Sequence, residues 1–128
     1  MAEKNVIVTK TARKKMAQAR AGVITLPKIV GMVFGDGGTD SSGKAIAPSE
    51  SQTTLNHELY RKAIKGYTFT SDTTCRYECT LAETELGGED ISEIGLYDAE
   101  GDILSIKNFT KKGKDDDMEM TFTLDDVF

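Results

Sequence analysis

The chain has 128 residues and a mass of 14.0 kDa, with 16 Lys and Arg against 21 Asp and Glu, a formal net charge of −5 and a pI near 4.9. That length suits one domain over residues 1–128, with a core large enough to need no metal or disulfide scaffold. The composition argues against a bilayer-spanning run of ~20 apolar residues, a secretory leader in the basic stretch Met1–Lys15, and generic nucleic-acid binding, which an acidic surface disfavours.

Taken in chain order, the first predicted element is a helix. Thr9 or Thr11 can cap it, Ala12 to Ala21 are good helix formers, and Gly22 is a natural terminator. Ala12, Met16 and Ala19 form its apolar stripe, too small to anchor in lipid but suited to packing on a sheet. Ile29 to Phe34 is an unbroken apolar run and reads as a strand buried on both faces. A loop rich in glycine and small polar residues, Gly35 to Gly43, follows. Ser49 is then expected to cap a short helical turn through Gln52-Thr53-Thr54-Leu55.

The pattern then turns to period two. Leu59 to Thr70 reads as one strand with Tyr67 and Phe69 on the same side. Ser71 to Thr74 has turn chemistry, and Cys75, Tyr77, Cys79 and Leu81 alternate along a half-buried strand. Gly87 to Asp90 breaks the pattern before a strand that carries Ile94 and Leu96 and ends at Tyr97. Asp98 to Asp102 is a hairpin loop leading back along Ile103 to Phe109. The charged stretch Lys111 to Asp117 reads as a hairpin tip, and Met118, Met120, Phe122 and Leu124 alternate in a last strand. The expected class is α+β: an N-terminal helix on a mostly antiparallel sheet of five or six strands.

No residue cluster builds an active site. Gly35-Asp36-Gly37-Gly38 lacks the spacing of a phosphate-binding loop. Asp36, Thr39, Asp40 and Ser41 could offer oxygen ligands to calcium, without the spacing of an EF-hand. His57-Glu58 is followed by Arg61 where a zincin needs a second His, so no metal or other cofactor is expected. Cys75 and Cys79 would sit about 13 Å apart along one strand face, too far for a disulfide, and read as reduced thiols. A pairing of His57 with one of them would need a thiol activated by positive neighbours, and only Arg76 is close in sequence. The carboxylates from Glu83 to Asp102 read as a solvated face.

Charge is segregated. Residues 1–28 hold seven basic residues against Glu3, and residues 71–106 hold ten acidic residues against Arg76. The two segments could dock head to tail between copies, pair within one copy, or remain solvated. Candidate interface residues are Arg13, Lys14 and Lys15 of the basic segment, Glu93 and Tyr97 of the acidic segment, and Val127 and Phe128 after Asp125-Asp126.

Motif order goes further than residue physics. Glu58-Leu59-Tyr60-Arg61, followed by Ile91-Ser92-Glu93-Ile94-Gly95-Leu96-Tyr97-Asp98-Ala99-Glu100-Gly101-Asp102-Ile103-Leu104, resembles the bacteriophage tail-collar fibre family. The N-terminal helix, the strand leading into Gly35-Asp36-Gly37, Pro48 and Gln52-Thr53-x-Leu55 match in order, over about residues 7–124. Asp90-Ile91-Ser92 stands where the family pattern suggests an aromatic residue. The resemblance implies a structural tail protein without catalytic residues: a tail-fibre attachment module or a baseplate or collar component. It also implies other tail or baseplate proteins as partners, a homo-oligomer with a trimer favoured, and a place in the virion tail after assembly in the host cytoplasm. Because the sequence stops at Phe128, an adaptor or short baseplate component is expected rather than a receptor-binding fibre. Two other readings are a glycan- or calcium-binding host-recognition module using Gly35–Gly43, and a small hydrolase using His57.

Overall fold

A computed structural model describes residues 5–128; Glu3 and Lys4 of the charged N-terminal segment lie outside the described residues. The elements are β1 (Val6–Val8), α1 (Lys10–Arg20), β2 (Ile29–Gly35), β3 (Glu58–Ala63), β4 (Gly66–Ser71), β5 (Thr74–Leu81), β6 (Asp90–Asp98), β7 (Ile103–Gly113) and β8 (Met120–Val127). They form two sheets: a five-stranded one in the order β1-β7-β6-β2-β3 and a three-stranded one in the order β4-β5-β8. Every strand pair is antiparallel.

The α+β expectation is therefore corrected to a mostly β fold of two antiparallel sheets. One 11-residue helix is present, and its small apolar stripe buries only Ala12 fully alongside Lys15. The core lies between the sheets instead. Met32, Phe34, Ile94 and Leu96 of the larger sheet pack against Cys79, Leu81, Phe122 and Leu124 of the smaller one. Phe34 and Phe122 meet edge to face, 5.3 Å between ring centroids. A second cluster of Val33, Leu55, Ile103 and Ile106 covers the opposite face of the larger sheet. That is why β2 is apolar throughout: successive side chains point to opposite faces, and both faces are covered.

The individual elements follow local chemistry. Thr9 caps α1, its Oγ1 accepting from the Ala12 N–H at 3.2 Å and donating to the Ile103 carbonyl at 2.9 Å. Gly22 takes φ +81° just beyond the helix, a conformation open to glycine at little cost. β1 is too short to register as a pattern, yet it pairs Val6 with Lys107 and Val8 with Ser105, about a hundred residues away.

Two further expectations are revised. The stretch from Leu59 to Thr70 is two strands in different sheets. The Ile64 N–H donates to the Val30 carbonyl in the larger sheet, and the next residue, Lys65, donates to the Glu78 carbonyl in the smaller one. The segment after Ser49 is a single turn, closed by Gln52 N–H to the Ser49 carbonyl, and does not become helical.

Candidate docking surface

The acidic segment is only partly a solvated face. Glu93 is fully buried on β6, in a strand whose two faces are both covered. Its carboxylate accepts three backbone N–H groups at 2.8 Å each, from Gly37, Asn56 and His57. Next to it, the Ser92 hydroxyl accepts from the Gly38 N–H at 2.9 Å. A buried carboxylate without partners costs several kcal/mol, and this one is matched by donors that would otherwise be orphaned in the loop. The approach is so close that a Cβ on Gly38 would lie 2.0 Å from the Ser92 carbonyl oxygen.

Lys15 is also turned inward. Its ammonium lies 2.7 Å from Asp98, 2.7 Å from Glu100 and 2.6 Å from Asp102, all in the β6–β7 hairpin. Burial works against the charge, but the three carboxylates outweigh it and raise the Lys15 pKa above its usual value. Of the three arrangements open to the charged segments, pairing within one chain is the one realised at this lysine. Arg13 pairs with Glu50 at 3.1 Å, and Lys14 is exposed. The oxygens of Asp98, Glu100 and Asp102 lie within 4.8 Å of one another, close enough for a cation, and Lys15 fills that role.

Tyr97 belongs to a third network. Its ring lies against Gly31, where a Cβ would come within 2.2 Å of it. The Arg61 guanidinium stands 5.0 Å from the ring centroid, grips Glu58 through two hydrogen bonds of 2.9 and 3.1 Å, and donates to the Gly101 carbonyl. Tyr60 and Lys62 both hydrogen-bond Glu85. Lys62 chiefly, then Tyr60 and the Ala82 N–H, pull the Glu85 carboxyl down to about 2. Lys114, read from sequence as part of a charged hairpin tip, is buried, with its ammonium on the Glu83 and Asp115 carbonyls.

The residues weighed for chemistry are committed locally. In the Gly35–Gly43 loop, Asp40 accepts from the Ser42 hydroxyl at 2.7 Å and from the Ser42 and Lys44 N–H groups. Those bonds, the Ser42 hydroxyl first, hold its carboxyl below the usual range. Asp36 pairs with His57 Nδ1 and raises the His57 pKa. Cys75 and Cys79 are buried free thiols, and burial pushes Cys79 up to about 11, the reverse of an activated nucleophile.

Apolar groups also remain open. Tyr67 and Phe69 on β4 are 62% and 69% exposed, and Phe128 is 66% exposed. Tyr67 contacts both Phe69 and Tyr77, with centroids 5.8 and 6.1 Å apart. These rings, with Leu26 and Asp126, border a groove of about 450 Å³ that runs to α1. Burial raises the pKa of Asp126 there. Phe128 thus lies at this rim, whereas Val127, also exposed, borders a separate groove with Val6, Val8 and Lys107, and Lys15 and Glu93 are spent inside. Sequence reasoning missed Tyr67 and Phe69 as surface groups, because alternation marks a face without showing whether anything covers it.

The family described as phage tail-collar fibre protein, N-terminal, matches residues 1–123. The chain belongs to that family. A curated relative, the "Probable tail fiber protein" of Escherichia phage P2, is 31% identical over 112 residues. That match covers 84% of this chain and 16% of the relative. No solved structure matches the chain. The family is a structural one of the phage tail, so this is a phage tail protein. Of the residues that carry the resemblance, Glu93 and Asp98 are buried, and Arg61 joins Glu58, Tyr97 and Gly101 in one network. Within Asp90-Ile91-Ser92, the stretch where an aromatic was expected, Ile91 is a fully buried core residue. Among the described residues no helix is long and apolar enough to cross a membrane.

Proposed function

We propose that this chain attaches a tail fibre to the phage tail, or serves as a short baseplate or collar component, and acts through contacts between subunits without catalysis. The observation that carries the reading is the contrast on its surface. The polar clusters are satisfied within the chain, while Tyr67, Phe69 and Phe128 stand open around a groove. Contiguous exposed aromatics of this kind mark interaction sites. The family match and the tail-fibre relative support a place in the tail. Assembly in the host cytoplasm and self-association, with the trimer as the closed form the resemblance implies, belong to the same proposal.

The test is incorporation. Phage particles carrying a Tyr67→Ser, Phe69→Ser, Phe128→Ser triple variant should lose the chain from purified tails, measured by immunoblot, while the isolated variant keeps its circular dichroism. Wild-type incorporation of the folded variant would refute the groove as the attachment surface.

A further inference from the structure

We infer that two copies of this chain join edge to edge along β4, with the strands antiparallel and Thr68 opposite Thr68 at a two-fold axis. The inference rests on the reading that the open aromatic surface is a subunit contact, and it names the partner. β4 is an edge strand whose one partner is β5. Its other side presents backbone donors and acceptors, a template that folded proteins normally block with charge, proline or short length.

The other three edges are blocked in those ways. β1 has three residues, β3 carries Glu58, Arg61 and Lys62, and β8 carries Asp125 and Asp126. β4 has six residues, Gly-Tyr-Thr-Phe-Thr-Ser, with no charge, and all but Gly66 are exposed. Its register with β5 shifts between Phe69 and Ser71, which leaves residues 66–69 as the regular part of the edge; with its two open aromatic rings it is the edge among the described strands that opposes strand addition least.

Charge and side-chain pattern select a second copy as the occupant. Lys65 precedes the strand and Asp72 follows it. Parallel pairing of two copies would set Lys65 beside Lys65 and Asp72 beside Asp72. Antiparallel pairing about Thr68 instead sets Lys65 of one copy opposite Ser71 of the other, one residue from Asp72, at both ends. In that register Tyr67 faces Phe69 across the interface twice, on the face where the two rings already meet edge to face within one chain. Thr68 meets Thr68 on the other face. Shifting by one residue would place rings opposite threonines on the wrong face.

The contact is small, six residues a side against the ~20–30 of a standard interface, so it is weak between free chains and strengthens where a tail holds copies side by side. The contact is isologous, so it yields dimers, or pairs of trimers, and even numbers of chains in every case.

Light scattering of the purified chain from micromolar to millimolar concentration should show a mass rising to an even multiple of 14.0 kDa. Phe69→Lys, at an exposed position, should halve that mass at equal concentration. Thr68→Cys tests the register directly. Opposed residues in an antiparallel pair lie about 4.5–5.5 Å apart at Cα, within disulfide reach, so mild oxidation should give a covalent dimer on a non-reducing gel. Thr70→Cys, four positions out of register with its own copy and about 13 Å away along the strands, should stay uncrosslinked. A wild-type mass that stays monomeric or trimeric across the range, no Thr68→Cys dimer, or equal crosslinking at Thr70→Cys would each overturn the pairing. Should Phe69→Lys fail to fold, the cysteine pair still decides. Wild-type tail incorporation of the Tyr67→Ser, Phe69→Ser, Phe128→Ser variant, beside an intact Thr68→Cys dimer, would refute the attachment reading and leave the pairing standing.

Discussion

Two regions of this molecule use the same kinds of residue to opposite ends. Around β2 and β6, charged groups are drawn inside and paired: Glu93 with three N–H groups, Lys15 with three carboxylates, Arg61 between Glu58 and the Tyr97 ring. Around β4 and the end of β8, aromatic groups that would ordinarily be inside are left out. The first region fixes the shape, and the second offers a surface. The polar region therefore supports stability beside the apolar core between the sheets, and the open aromatics are the surface proposed for association.

The largest test of that division is Glu93. Replacing it with Ala orphans the N–H groups of Gly37, Asn56 and His57 in a buried site. The expected loss is about 3–5 kcal/mol, read as a lower urea midpoint. A variant that unfolds with the wild-type midpoint would show that the loop holds itself. Gly31→Ala should come next, at about 1–3 kcal/mol, since the new methyl meets the Tyr97 ring. Lys15→Met leaves three carboxylates facing one another. Glu100 and Asp102 are half-exposed, so the cost is smaller, roughly 1–2 kcal/mol, and millimolar Ca²⁺ should restore part of it in a thermal melt. Equal melting with and without Ca²⁺ would show that the carboxylates relax apart once the ammonium is gone.

Acid sharpens the comparison further. The folded Glu85 carboxyl, at about 2, lies below its unfolded value. Its contribution is thus fully present above the ordinary glutamate range and is lost as the pH falls through that range toward 2. Glu85→Gln should flatten the acid limb of a stability profile, and an unchanged limb would assign acid unfolding to other groups. The smallest effect is expected on the open side. Tyr67→Ser should change stability by no more than about 0.5 kcal/mol, as is usual for surface positions. A larger loss would mean that the ring supports the fold as well as the contact.

Much of the framework was legible in the sequence. The Thr9 cap and Gly22 bound the helix, the apolar run at Met32-Val33-Phe34 announced a doubly covered strand, and alternation marked β5 and β8. The fold class was not, because a helix of good local propensity says nothing about how little it buries. The break between β3 and β4 depends on which sheet accepts each N–H at Ile64 and Lys65, a tertiary choice with Gly66 as its faint local sign. Glu93 looked like surface because a charged residue in an acidic stretch ordinarily is. Its place in the nearly continuous apolar strand Ile91–Leu96, with a glycine loop rich in free N–H groups elsewhere, was the available clue.

The pairing of β1 with β7 sets the order of events during synthesis. Val6 cannot find Lys107 until the roughly one hundred residues between them have been made. The larger sheet therefore closes late and across a long stretch of chain, and topologies dominated by such distant partners mature slowly. While the sheet waits, its interior strands are uncovered, and a nascent tail protein made in many copies is most vulnerable to tangling with its siblings in that interval.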